Sequence, residues 1–196
     1  MFQKLNHKES RWIIAGCGIA MVIAYFTPLW YITLAAPQYP EGLSLYIWIK
    51  KITGGTDFDL QNINLLNHYI GMQKIAQHSI PELLYMPYVL LYMIVGAFLA
   101  VLVNRLFMVY LGLMNLTVVA LAGLYDFWRW EHDFGHNLSP DAPIKMDGMT
   151  YQPPLIACKT LLNIQACSWP HIGVYVLVGV GMMLAYIIYK ERLKQT

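Results

Sequence analysis

The sequence predicts an all-α membrane protein: a four-transmembrane-helix bundle with both termini cytoplasmic and two extracytoplasmic segments forming a cap. Three observations carry this expectation. Only 12% of the 196 residues are charged and 58% are apolar, with a mean hydropathy of +0.46, whereas a soluble domain carries about 25% charged residues. Residues 12–36, 83–103, 106–125 and 172–189 contain no charge at all, and each run is near the roughly 20 residues that cross a hydrocarbon core. Helices satisfy their own backbone in lipid, so four helices are the economical reading. Finally, Lys4, Lys8, Arg11, Arg105, Lys190, Arg192 and Lys194 crowd the short segments of one side, which places that side in the cytoplasm.

The expected elements follow in order as one membrane domain over residues 1–196. The first span covers 12–36, kinked at Pro28, with Trp30 and Tyr31 at an outer aromatic belt. Lys4, Lys8 and Arg11 would suit a signal peptide, but the run is too long for one and lacks a small-x-small cleavage site, so it reads as a retained helix. The first outer segment, 37–82, holds an amphiphilic stretch at 43–49 that suits the interface or a short strand. A turn at Gly54-Gly55 and a helix over 62–77 follow. The second and third spans, 83–103 and 106–126, form a hairpin through Asn104-Arg105. The second outer segment, 127–169, contains Pro140, Pro143, Pro153 and Pro154 and reads as mostly irregular. Ser168 and Pro170 mark the start of the last span, 170–189.

The chemistry-bearing side chains concentrate on the outer side. His68, His78, His132, His136 and His171 fall there, with Cys158, Cys167, Met72, Met146 and Met149. Imidazole, thiolate and thioether form a copper-suited ligand set. Asn64, His68 and Met72 are spaced i, i+4, i+8 and would share a helical stripe. His132 and His136 are also four apart, and would share a face if the third helix continues outward, with Glu131 and Asp133 as orienting partners. Gly135 weakens that helical reading. The bland alternatives are solvated histidines, an Arg129–Asp133 ion pair and methionines that merely pack. Met146 and Met149 lie in a loop, where a thioether could complete a site. Cys158 and Cys167 are open to three readings, disulfide, free thiols or metal ligation, and an oxidising compartment favours the disulfide.

No ionisable residue sits deep in any span, which disfavours an ion or proton pathway. The scattered basic residues make no nucleic-acid footprint. The sequence holds no Walker motif and no GxSxG, and the chain reads as a non-enzyme.

The block Asn67-His68-Tyr69-Ile70-Gly71-Met72, residues 125–136, and Asp141-Ala142-Pro143-Ile144-Lys145 resemble a family of small integral membrane proteins. Its members are encoded with nitrous-oxide reductase in atypical (clade II type) bacterial denitrification gene clusters. The resemblance spans both outer segments and all four runs. It implies a multi-pass protein of the bacterial inner membrane that supports or matures an extracytoplasmic copper enzyme, and it supplies no catalytic residues. The leading expectation is therefore an accessory protein that binds or relays copper through His68, Met72, His132 and His136, then Met146 and Met149. Its partners would be the lipid bilayer and the copper enzyme or its maturation proteins. The rivals are a metal-free structural subunit of a larger membrane complex and a quinone-linked thiol oxidoreductase, the latter lacking a Cys-x-x-Cys pair.

Overall fold

The computed structural model describes residues 4–5, 8–144, 148, 150–161 and 163–193. It departs from the all-α expectation at Pro28. Helix α1 (Lys8–Tyr25) stops short of it, because proline supplies no N–H and biases Thr27 away from helical dihedrals. The next residues, Trp30-Tyr31-Ile32-Thr33, are aromatic and β-branched and suit a pleated surface. They open strand β1 (Trp30–Ala36), which pairs antiparallel with β2 (Tyr39–Ile47). A short β3 (Ile52–Gly54) extends the sheet beyond β2.

The second connecting segment supplies β4 (Ala157–Leu161) and β5 (Ile164–Pro170), and β5 pairs with the other edge of β1. The result is one antiparallel sheet of order β3-β2-β1-β5-β4. The described residues thus form five α-helices plus a five-stranded sheet, not an all-α four-helix bundle. The uncharged run 12–36 comprises a helix and a central strand, and lack of charge does not distinguish them. Ser168 and Pro170 likewise belong to β5. Instead of capping a helix, the Ser168 hydroxyl accepts the buried Trp30 indole N–H at 2.7 Å and donates to the Leu155 carbonyl at 3.1 Å.

The remaining helices are α2 (Asp59–Ile70), α3 (Glu82–Val103), α4 (Leu106–His136) and α5 (Ile172–Leu193). Helices α3, α4 and α5 are long and apolar enough to cross a membrane. Helix α1 carries Lys8, Glu9 and Arg11 in its first turn and packs against α3 and α5. Buried Ile14, Met21, Ile94, Val109, Val180 and Ile187 form the core among these helices. A second core lies on one face of the sheet, where Trp30, Ile32, Leu43 and Leu45 meet Ile63 of α2 and Phe134 of α4. Asp59 fixes α2 to the sheet by accepting the Ser44 N–H at 2.9 Å, the Gly55 N–H at 3.2 Å and the Thr56 hydroxyl. Burial pushes its carboxyl up, but these hydrogen bonds outweigh burial and hold it below its ordinary value.

The sheet and the helices join backbone to backbone. β1 follows α1 after a short bend, and β5 runs almost directly into α5. The His171 N–H donates to the Leu29 carbonyl and the Gly173 N–H to the Pro28 carbonyl, each at 2.9 Å. A Cβ on Gly173 would lie 2.7 Å from Leu29 Cδ2 and 2.9 Å from the Pro28 oxygen. Gly173→Ala should therefore destabilise the protein by about 1–3 kcal/mol through overpacking, despite the ~1 kcal/mol helix-propensity gain of alanine. Thermal unfolding in detergent checks this; an unchanged or raised midpoint would show that the seam yields freely.

Candidate functional site

At 31 residues, α4 is longer than the roughly 20 needed to cross a bilayer, and its charge-free part ends at Tyr125. Its last turns, 126–136, carry charge and lie beyond that uncharged part. They pack Phe127, Trp130 and Phe134 into the sheet-side core, with Phe127 5.3 Å from Trp30 and Phe134 4.5 Å from Trp130 between ring centroids. Gly135 lies inside the helix and does not break it. A Cβ there would come within 2.5 Å of the Gln152 nitrogen, and the Gly135 carbonyl accepts the Tyr151 N–H at 2.9 Å. Glycine lets the 151–152 backbone lie directly on α4.

This end of α4 has two chemically different faces. On the open face, Trp128, His132 and His136 follow at i, i+4, i+8. The two imidazoles stack with centroids 3.9 Å apart and planes 15° apart, and Trp128 lies 5.5 Å from His132. His136 Nδ1 lies 2.9 Å from the His132 carbonyl oxygen, so that nitrogen is the N–H donor, and in the neutral ring the lone pair is on Nε2. His132 Nδ1 lies 3.7 Å from Asp133, which also faces Arg129 at 3.8 Å.

Glu131 is not an orienting partner of these histidines. One helical step, about 100°, turns it away from the open face to where it is fully buried, and neither carboxylate oxygen has a hydrogen-bond partner. It lines a cavity of ≈ 70 Å³ between the sheet, α2 and α4, with Ile32, Leu45, Ile63, Asn67, Met72 and Trp130 among its walls. The Trp130 indole nitrogen is also buried without a partner. Burial pushes the Glu131 carboxyl up to about 8, since an unpaired charge is costly in apolar surroundings. The sequence did carry a signal. Phe127, Glu131 and Phe134 fall at i, i+4, i+7, so a carboxylate interrupts an apolar helical stripe.

The other expected ligands are dispersed. α2 ends at Ile70, and Gly71 adopts a left-handed conformation (φ 79°). Met72 therefore leaves the stripe that carries exposed His68 and packs into the sheet-side core. Asn64 does not face a metal either: it accepts the Ile75 N–H at 2.7 Å and donates to the Ile75 carbonyl at 3.1 Å. The Ser139 N–H donates to the Gly71 carbonyl and the Ile144 N–H to the Tyr69 carbonyl, so the end of α2 is bound to the chain after α4. Met146 and Met149 lie outside the described residues. Cys158 and Cys167 are paired across β4 and β5 and form a disulfide. His78 is exposed on a 3-10 turn. His171 sits edge-on to Tyr31 and Tyr46, at 5.5 and 5.6 Å. Among the described residues, no three of His, Cys, Asp and Glu gather as a metal site.

Compared with known proteins, the chain matches no family model and no curated protein.

Two measurements test this geometry. The ordinary Glu value is 4.5 and the folded value about 8, so between them the unfolded chain has lost a proton that the folded protein retains. Stability is full below 4.5 and falls as pH rises through that window. Glu131→Gln should abolish this component: the stability difference between variant and wild type should grow from pH 5 to pH 8 and then level off. A constant difference would mean that the carboxyl titrates normally. Separately, thiol labelling of denatured protein should find one free thiol before reduction, Cys17, and three after it; three before reduction would exclude the disulfide.

Proposed function

We propose that this chain is a non-enzymatic accessory protein of the bacterial inner membrane that binds or relays copper for an extracytoplasmic copper enzyme. In this reading the termini are cytoplasmic and the sheet module lies outside. The motif resemblance points to nitrous-oxide reductase maturation as the setting. The observation that carries the reading is the His132–His136 pair: two imidazoles one turn apart, on the half-exposed end of a membrane-length helix, with the His136 Nδ1 held by the His132 carbonyl so that Nε2 is the nitrogen open to a metal in the neutral ring. Copper is cargo here. Two imidazoles alone make an incomplete site, and soft Cu(I) would gain a further ligand from the flanking loop or from a docked partner. An incomplete site suits transfer, since the ion is held and then released to a fuller ligand set.

The stacking of the rings favours a second reading, a metal-free structural subunit of a larger membrane complex. Nearly parallel rings point their in-plane lone pairs side by side, not at a common point. Metal binding requires the rings to turn about χ2, a broad torsion for histidine; at the exposed His136 that turn breaks the hydrogen bond from Nδ1 to the His132 carbonyl. Competition with a calibrated Cu(I) chelator separates the two readings. The accessory role predicts that His132→Ala with His136→Ala lowers Cu(I) affinity at least tenfold without changing membrane insertion. Equal, weak binding by both proteins would favour the structural subunit.

A further inference from the structure

The helical layer holds a cavity of its own, of ≈ 180 Å³, which the copper reading does not use. It lies among α1, α3, α4 and α5, with Cys17, Met21, Ala97, Met108, Leu116 and Val180 in its walls. Tyr92 of α3 and Asn115 of α4 also line it, and the Asn115 side-chain N–H donates to the Tyr92 hydroxyl at 3.3 Å. Their polar groups thus meet at one point. Each residue is the tenth of an uncharged run, 83–103 and 106–125, so the pair stands near the middle of a layer that roughly 20 residues cross. Tyr92 is exposed on the bundle surface and Asn115 is half-buried. In water, solvent would complete their hydrogen bonding; hydrocarbon cannot. Among the described residues neither side chain makes a further hydrogen bond. The Tyr92 O–H is left as a donor and Asn115 Oδ1 as an acceptor.

We propose that this cavity binds a membrane-dissolved phenol, a single aromatic ring bearing a hydroxyl, which enters from the lipid between α3 and α4. A hydroxyl meets both free positions through one atom: its oxygen accepts the Tyr92 O–H and its hydrogen goes to Asn115 Oδ1. A carbonyl would leave Oδ1 unmet. An ion would find no charged side chain among the residues that line the cavity.

The walls define the rest of the ligand. An apolar cavity of about 150 Å³ holds benzene, so ≈ 180 Å³ accommodates one six-membered ring with small substituents. Three thioethers, Met21, Met93 and Met108, line the space with the Cys17 thiol. Sulfur packs favourably against aromatic rings, which selects a phenol over an aliphatic alcohol. Apolar walls with a few convergent polar groups, set between the helices of a bundle, are the usual form of a small-molecule site.

The test uses the full chain in detergent, with 4-methylphenol, toluene and cyclohexanol as probes, read by saturation transfer to the probe and by titration. Wild type should bind 4-methylphenol about tenfold more tightly than either analogue, the scale set by hydrogen bonds made or left unmet. Asn115→Leu and Tyr92→Phe should each remove most of that preference while leaving toluene binding unchanged. Retained toluene binding shows that the variant still folds around its cavity. The His132→Ala, His136→Ala protein should bind 4-methylphenol as wild type does, which keeps this result separate from the copper reading. Equal binding of all three probes by wild type would overturn the proposal, and so would an undiminished preference in both variants. Binding of none would also overturn it; if Asn115→Leu then turned a detergent-solubilised dimer into a monomer, the polar pair would belong to a contact with a second copy of the chain.

Discussion

The rest of the structure depends on the pairing of β1 along both of its edges. A strand in the middle of a sheet has every backbone donor and acceptor committed, and its position is over-determined. β1 is joined to α1 by a short bend, and its partner β5 is joined to α5 by a still shorter one. The ladder between the two strands therefore dictates where two helices of the helical layer begin and end. The core face of the same strand supplies Trp30 and Ile32, against which α2 and the end of α4 settle. Loss of the β1–β5 ladder would separate the helices and remove a wall of the Glu131 chamber together.

The end of α4 shows how one helix can carry two unrelated chemistries. Residues four apart share a face, and a single residue step crosses to another. His132 and His136 stack toward the open side, while Glu131 and Phe134 enter the core. The two faces are insulated by the helix itself, so a change at one has no direct electrostatic partner at the other among the contacts described. Gly135 matters to the inner face alone, by admitting the Tyr151–Gln152 backbone that closes the chamber on that side.

Much of the helical layer was legible because long uncharged runs have few alternatives. Helices α3, α4 and α5 begin close to where charge disappears from the sequence. The sheet was less legible. The stretch 43–49 around Ser44 was open to a short strand, but in β1 the uncharged run 12–36 overrode the alternation of Tyr31 and Thr33 with apolar residues, although Pro28 divides it. The pairing of β1 with β5 lies beyond any local pattern, since it joins the two connecting segments. At the site, the i, i+4 spacing of His132 and His136 was readable, and so was the apolar stripe that Glu131 interrupts. The Gly71 turn that removes Met72 from the His68 stripe was not, because a glycine within an apparently helical run gives no sign of whether the helix passes through it or ends there.

The order of the strands also governs how the chain can be made. Trp30 pairs with Pro170, 140 positions further along (170 − 30). At a synthesis rate of ~5–20 residues per second, β5 emerges roughly 7–28 seconds after β1. Throughout that interval the hairpin of β1 and β2 carries an open edge, a template for unwanted strand addition. β5 can complete the sheet only after α3 and α4 have been synthesised, and α5 follows it directly in the chain. Completion of the sheet and addition of the last helix thus both wait for the final part of the chain, and a chain arrested before it would keep an open sheet edge and be prone to aggregate.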